Sequence, residues 1–241
     1  MTKILQLKIS LEDITPKIWR RFLVKENTTF QELHDIIQAV MGWSDYHMFE
    51  FQINDICILA DEEGHNPAEN SLKKLYESPE FIKMIEQTKL KNGSASLDID
   101  KINKILKEQE HNKKIVAHNL KSKISILIHL ERQRFNYIYD FGDNWKHSIV
   151  VEKILDSADV PFIPFCLEGE KSCPPEDCGS IPGYYELQKI KKNKNHKEYK
   201  ERIIEWLGED FDFEDFDLDE TNKELRKLSK MDRKKRYWVL K

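Results

Sequence analysis

The sequence predicts an α+β fold, namely a β-grasp-like mixed or antiparallel sheet with a packed helix, a helical insertion and a helical C-terminal third. Three observations support this prediction. Apolar and polar residues alternate before residue 55 and again after residue 120, which is typical of half-buried strands. A capped amphipathic helix interrupts the first run of strands. Residues 61–119 are dominated by Lys, Glu and Asn and contain few aromatic residues.

The first elements form a compact pattern of strand, strand, helix and strand. Residues 3–10 alternate, and residues 18–24 are expected to pair back on them as a hairpin. Thr29 and Glu32 have the spacing of a capping box, in which each side chain bonds the backbone amide of the other residue. The helix is expected to end at Gly42, and Phe49, Phe51 and Ile53 then alternate in a third strand.

Composition divides the chain into three regions. Residues 1–60 supply the first half of the α+β core, and residues 61–119 form a charged helical insertion. Residues 120–241 supply the second half of the core and a helical C-terminal region. Charged runs like those of the insertion are usually solvated faces, and a linker or a partner surface is the alternative.

The second half of the core begins with three predicted strands. Alternation over residues 123–130, residues 135–139 and residues 145–151 predicts an antiparallel meander, with a turn around Gly142. Helices are then expected after Pro182, around an apolar stripe at Ile203, Trp206 and Leu207, and after a cap at Asp217.

Composition also limits the classes of function. The 241 residues carry a formal net charge of -4, which gives no global signal for nucleic-acid binding. No apolar run approaches the length of a membrane span, and the first residues lack the apolar core of a signal peptide. Four cysteines without a secretion signal favour reduced thiols in a cytosol. We expect a cytoplasmic protein that binds no membrane.

Basic residues are concentrated in two places, residues 189–202 and residues 233–236. A strongly acidic block, residues 209–220, lies between them. This block would repel phosphate or bind the basic patch internally. Nucleic-acid binding is therefore expected to be weak at most.

Carboxylates and aromatic rings are concentrated in residues 135–183. Acidic side chains there either converge on a hard cation such as Mg²⁺, act as an acid/base pair, or stabilise turns: Asp140, Asp143, Glu176 and Asp177. Tyr139 and Trp145 form part of an aromatic platform for a base or sugar, or one side of a sheet core.

Two arginines follow Trp19 on a predicted strand, so Arg20 and Arg21 point to opposite faces of the sheet. One is expected to meet a phosphate or the acidic turn, and the other to face solvent.

One imidazole and three thiols in the same stretch have the composition of a structural zinc site: His147, Cys166, Cys173 and Cys178. Zinc sites usually contain Cys-x-x-Cys pairs, which are absent here. The alternative is that the cysteines are small buried hydrophobes and that His147 is a core histidine bonded to a carbonyl or carboxylate.

Several ordered motifs occur along the chain: ITPKIWRR at residues 14–21, Tyr46-His47, YDFGDNWKH at residues 139–147 and CPPEDCG at residues 173–179. Together they resemble the plasmid pRiA ORF-three-like family. The resemblance covers about residues 3–60 and 120–228. It implies an α+β fold and a setting on plasmids and mobile elements, where members are sometimes labelled transposon passenger or TnpR-type proteins. It implies no reaction, and the nucleophilic serine and helix-turn-helix of a serine resolvase are not found in this sequence.

These patterns favour an accessory or interaction protein of a mobile element, with a protein partner and a polar pocket built by residues 139–147 and 166–179. A metal-dependent hydrolase is the first alternative, with the catalytic set Asp140, Asp143, His147, Glu176 and Asp177. A nucleic-acid-binding accessory protein is the second. We also expect Glu176 or Asp177 to bond the 135–147 hairpin, Arg20 or Arg21.

Overall fold

One mixed sheet organises the chain in a computed structural model that describes residues 2–59, 115–117 (backbone only) and 120–230. Its strands are β1 Ile4–Leu11, β2 Trp19–Lys25, β3 Phe49–Ile53, β4 Ile56–Leu59, β5 Ile115–Ala117, β6 Arg134–Tyr139, β7 Trp145–Leu155 and β8 Phe165–Glu170. The order across the sheet is β5-β4-β3-β6-β7-β1-β2-β8. Only β4 and β5 pair in parallel among these strands. The predicted α+β class is confirmed.

The predicted hairpin and meander are present, but the β-grasp-like arrangement is not confirmed. β1 pairs with β2 on one side and with β7 on the other. β6 then lies between β7 and β3. A hairpin and one helix do not specify which later strands enter the sheet beside them, so the early pattern alone did not determine this order.

Four helices accompany the sheet in the described part of the chain. They are α1 Phe30–Met41, α2 Ser180–Lys191, a π-helix Tyr199–Leu207 and α3 Leu218–Lys230. The capping box is confirmed, since Glu32 N donates to Thr29 Oγ1 at 3.2 Å and Thr29 N donates to the Glu32 carboxylate at 2.9 Å. Gly42 ends α1 with a φ of 87°. Asp217 accepts from Glu220 N at 2.8 Å and caps α3.

The core lies where α1 covers the sheet. Leu33, Ile37 and Val40 of α1 are buried together with the inward residues of the strands. The alternation Leu5, Leu7 and Ile9 on β1 is fully buried, as a sheet covered by a helix requires. None of the described helices is both long and apolar enough to cross a bilayer.

The strand predicted at residues 123–130 is wrong. This segment contains a 3₁₀ turn at Ile124–Ile126, and its anchors are Ile124 and Ile128, which are four residues apart and both buried. Ile124 N donates to Thr28 O at 2.8 Å, just before α1 begins. Packing against the start of α1 therefore overrides the local alternation of isoleucines.

The structure also differs from the sequence-based prediction at one strand and one side chain. β8 was not predicted, because FCLEGE lacks regular alternation, yet it forms the sheet edge against β2. Trp206 was predicted on an apolar stripe with Ile203 and Leu207, whereas it is 47% exposed on the π-helix and, of these three, only Ile203 is buried. The helices expected within residues 61–119 lie outside the described residues, and the described end of that region is β5.

Candidate functional site

The turn between β6 and β7 is built around the carboxylate of Asp140. Its Oδ1 accepts hydrogen bonds from Gly142 N at 2.8 Å and Asp143 N at 3.2 Å. Asp140 and Asn144 both have a φ of 56°, a left-handed conformation that Asp and Asn tolerate better than most residues. The turn chemistry considered for Asp140 is therefore present, but it uses only one of the two carboxylate oxygens.

The loop after β8 packs against this turn. Trp43 Nε1 donates to Pro174 O at 2.9 Å, and Ser44 N donates to the Glu176 carboxylate at 3.0 Å. The hydroxyl of Tyr139 also donates to Glu176. The expected bond between the acidic loop and the hairpin is therefore confirmed, and Glu176 is the residue that makes it.

The start of α2 holds the other end of the loop. Ser180 Oγ donates to Asp143 O at 2.7 Å, and Gly179 N donates to Asp143 Oδ2 at 3.3 Å. A Cβ atom at Gly183 would lie 1.9 Å from Cys178 O, so only glycine permits this approach of the helix to the loop. Asp143 and Gly183 thus serve to fix the loop.

Tyr139 links the loop to the sheet. Its ring stacks on Trp43 with centroids 4.8 Å apart, and its hydroxyl accepts from Tyr46 N at 3.1 Å. Burial and the neighbouring Glu176 carboxylate raise the pKa of Tyr139 above its usual value. The phenol therefore stays protonated and acts as a hydrogen-bond donor to Glu176.

His47 lies close to one carboxylate oxygen of Asp140 and one of Asp177 at this junction. His47 Nε2 lies 3.2 Å from Asp177 Oδ1 and 3.7 Å from Asp140 Oδ2. Asp140 N donates to Met48 O at 2.9 Å, which extends the ladder between β3 and β6 and brings His47 beside Asp140. Within the described ranges, these three residues are the one group with metal-ligating atoms that close together.

Two exposed aromatic residues are next to members of this group in the chain. Tyr46 precedes His47 and is 71% exposed, and Phe141 follows Asp140 and is 49% exposed. Ile204 and Trp206 are the other large hydrophobic residues that are exposed in the described part of the chain. We call the surface formed by Tyr46, His47, Asp140, Phe141 and Asp177 the hairpin face.

Sequence reasoning did not select His47 as a site residue. Tyr46 and His47 were noticed only within the motifs of the family resemblance. The missing information was the pairing of β3 with β6, because only this pairing brings a residue before β3 next to the turn after β6. The signal that the sequence offered for His47 was its position in the short segment between α1 and β3.

Arg20 and Arg21 point to opposite faces, as expected, but neither contacts the acidic turn. Arg20 is 2% exposed and donates to four carbonyl oxygens, those of Trp19, Val40, Glu170 and Lys171. Its guanidinium also lies 3.9 Å from the ring centroid of Phe216, and burial lowers its pKa. Arg21 forms ion pairs with Glu152 and Glu168. Arg20 is therefore engaged by the fold and is not presented to a phosphate.

The four residues of the predicted zinc set do not converge. His147 is fully buried, its Nδ1 lies 3.3 Å from Tyr137 O, and burial lowers the pKa of His147 to about 3. Cys166 Sγ lies 3.5 Å from Arg21 O, whereas Cys178 Sγ lies 3.8 Å from Ser180 O. Burial raises the pKa of all three thiols, that of Cys166 to about 11 and that of Cys178 to about 12. These positions match the alternative of a core histidine and buried thiols.

Trp145 also belongs to the core. It is buried on β7, and its ring centroid lies 6.4 Å from that of Trp43. Tyr139 and Trp145, the aromatic residues expected to bind a base or sugar, are both buried, so they match the alternative of one side of the sheet core.

The basic patch is largely paired with acids of the same region. Lys194 bonds Glu209 at 3.2 Å, and Arg202 bonds Glu186 at 2.9 Å. Lys197 and Lys200 also have acidic partners, Glu198 and Glu205. The expected internal pairing of the patch with the acidic block is confirmed at Lys194 and Glu209, and it reduces the charge offered to a nucleic acid.

The fold and the hairpin face define an α+β protein with a single mixed sheet and a polar junction at one turn. The chain belongs to the plasmid pRiA4b ORF-3-like protein family, whose model matches residues 3–220. The resemblance seen in the motifs is therefore confirmed. The family is one of plasmid-associated proteins.

Two relatives support the assignment. The uncharacterized protein y4hQ of Sinorhizobium fredii is 27% identical over 231 residues, with 95% of this chain and 94% of that protein covered. The crystal structure of MM3350, a protein of unknown function from Methanosarcina mazei Go1, is 32% identical with a TM-score of 0.64. That match covers 90% of this chain and 97% of the other chain.

Proposed function

We propose that this protein is an accessory interaction protein of a mobile element and that its hairpin face binds a basic segment of a partner protein. The family setting supports the first part of the proposal. One observation carries the second part. Tyr46 and Phe141, two of the four exposed large hydrophobic residues in the described part of the chain, are the chain neighbours of His47 and Asp140, which lie together with the carboxylate of Asp177.

The chemistry of the face matches an arginine side chain. A guanidinium group stacks on aromatic rings and donates to carboxylates in a bidentate way. Exposed aromatic residues are enriched in protein interfaces, where they bury much area at little entropic cost. Tyr46 and Phe141 supply the rings, and Asp177 supplies an acceptor that is 70% exposed.

The face is held in place before a partner arrives. Glu176 ties the loop to Ser44 and Tyr139, and Asp140 ties the turn to its own amides. A surface that is already ordered loses little conformational entropy on binding, so more of the contact energy appears as affinity.

Selection from a random peptide library tests this proposal. The full chain is immobilised in a buffer with EDTA, and the selected peptides are measured by fluorescence polarisation. We expect enrichment of arginine-containing peptides. Tyr46→Ala and Phe141→Ala should each weaken their binding by about tenfold or more, because a ring at an interface centre contributes about 1–2 kcal/mol or more.

Trp206→Ala is the matched control, because Trp206 is exposed to nearly the same extent as Phe141 but lies on the π-helix. It should leave the peptide affinity unchanged. Selected peptides without basic residues, or an equal loss of affinity in Trp206→Ala and Phe141→Ala, would contradict the proposal.

A further inference from the structure

We infer that His47, Asp140 and Asp177 form a binding site for one divalent transition-metal ion. Their potential ligand atoms are one imidazole nitrogen and two carboxylate oxygens, all within 4.8 Å of one another. The inference concerns this chain alone and does not depend on the proposed partner.

Two potential ligand atoms of this group, His47 Nε2 and Asp140 Oδ2, have no hydrogen bond from the described residues. His47 Nε2 is a buried atom without a hydrogen-bond partner, although Asp177 Oδ1 lies 3.2 Å away. Asp140 is only 7% exposed, and its Oδ1 accepts two turn amides, but no described group donates to its Oδ2. Buried polar atoms are nearly always satisfied, so the open nitrogen of His47, which faces two carboxylate oxygens, calls for a partner that all three can share.

A simple imidazolium–carboxylate pair explains these contacts less well. Such a pair would place an N–H bond in line with one carboxylate oxygen. His47 Nε2 is close to Asp177 Oδ1, yet the two atoms lack hydrogen-bond geometry. A cation accepts the lone pairs of all three atoms and requires no alignment between nitrogen and oxygen.

The spacing of the atoms fits a common coordination shell. With metal–ligand bonds of about 2.0–2.1 Å, neighbouring ligands of an octahedral or tetrahedral ion are about 2.8–3.4 Å apart. The distances of 3.2 Å and 3.7 Å from His47 Nε2 require only small adjustments to reach this range. Asp140 is fixed by its turn, whereas exposed Asp177 is free to adjust.

The ligand types select the class of metal. One imidazole with two carboxylates suits Zn²⁺, Mn²⁺, Co²⁺ or Fe²⁺, whereas Ca²⁺ takes six to eight oxygen ligands. Three protein ligands leave at least one coordination position open. Because Asp177 is exposed, the open position faces solvent on the hairpin face.

Metal binding would also regulate the proposed partner site. An ion adds two positive charges to the two carboxylates that would otherwise attract a basic segment, so metal and peptide should oppose each other. This consequence rests on the proposed function, whereas metal binding itself does not.

Titration of the reduced full chain with Co²⁺ tests the metal site. The visible absorption of the ion reports its coordination, and calorimetry with Zn²⁺ reports the stoichiometry. We expect one ion per chain and no sulfur-to-cobalt charge-transfer band, because the cysteines take no part. His47→Asn and Asp177→Asn should each weaken binding by tenfold or more, with unchanged circular dichroism.

Two variants serve as controls. His196→Asn removes a histidine outside the hairpin face, and Cys178→Ser removes a thiol of the same loop; both should bind the ion as the unmodified chain does. The inference is overturned if no saturable site is found, if a thiolate band appears, or if His47→Asn binds with unchanged affinity. Metal binding without any arginine-dependent peptide binding would sustain this inference and reject the proposed function, and the converse result would do the opposite.

Discussion

His147 in the sheet and His47 at the hairpin face each have a buried Nε2 without a hydrogen bond, but their surroundings are opposite. Around His147 lie the rings of Trp43 and Tyr137, and among the described residues the group of metal-ligating atoms does not include it. Around His47 lie the carboxylates of Asp140 and Asp177, and the chain neighbours Tyr46 and Phe141 are exposed. The first histidine is packed by a regular strand, and the second is positioned where a turn, a loop and a strand end meet.

The comparison shows that the chemical role of a histidine depends on which groups surround its free nitrogen. Burial alone keeps His147 neutral and lowers its pKa. A free nitrogen that faces two carboxylates is instead arranged for a cation. Core variants should therefore change stability and leave metal binding intact, and variants of the hairpin face should do the reverse.

The largest expected effect tests the core side of this comparison. Arg20→Met should lower the free energy of unfolding by about 3–5 kcal/mol, because four buried or partly buried carbonyls lose their donor. Arg21→Met, one residue away, should cost about 1 kcal/mol or less, since its ion pairs are partly exposed. Urea denaturation measures both values. Equal losses of unfolding free energy in the two variants would show that the hydrogen bonds from Arg20 to the four carbonyls do not determine its contribution to stability.

The next effect is a dependence of stability on pH that arises from His147. Burial lowers the pKa of the folded imidazole to about 3, whereas the unfolded chain has the ordinary value of about 6.5. As the pH falls below about 6.5, the unfolded chain binds a proton and the folded chain does not, so stability is lost at about 1.4 kcal/mol per pH unit. This contribution is fully present above about pH 6.5.

His147→Phe keeps an aromatic ring in the core and removes the titration. The difference in unfolding free energy between this variant and the unmodified chain should shift by about 2 kcal/mol in favour of the variant between pH 6.5 and pH 5. Urea denaturation across that range measures it, and metal affinity at pH 7 should stay unchanged. A constant difference between the two proteins would show that the pKa of His147 is the same in the folded and the unfolded chain, which would contradict the lowering by burial.

The same two regions show what could be predicted from the sequence. Period-2 alternation identified β1, β3, β6 and β7, and the capping box gave the start of α1, because these features depend on neighbouring residues. The failed strand at residues 123–130 and the unpredicted β8 depend on contacts with distant segments. His47 was missed for the same reason, because its position beside Asp140 depends on the pairing of β3 with β6.

A smaller effect is expected at the base of the hairpin face. Glu176→Gln retains the shape of the side chain but loses the charge that accepts from Ser44 N and the Tyr139 hydroxyl. We expect the free energy of unfolding to fall by about 1–2 kcal/mol, which is the range for hydrogen bonds to a charged group. Tyr139→Phe removes the same phenolic bond from the other side, so the double variant should lose less than the sum of the single losses. Strict additivity in denaturation experiments would contradict a direct coupling.

The smallest effect on stability should occur at the neighbouring Asp177. Its side chain is 70% exposed, and its described polar contact is with His47, so Asp177→Asn should change the free energy of unfolding by about 0.5 kcal/mol or less. The same change removes one proposed metal ligand. Adding Zn²⁺ to the unmodified chain should raise its melting temperature, because an ion that binds only the folded state stabilises it by mass action. Asp177→Asn should abolish most of that rise, whereas Arg21→Met should retain it. Loss of more than about 2 kcal/mol in Asp177→Asn without metal would instead identify Asp177 as part of the structural clamp formed by Glu176.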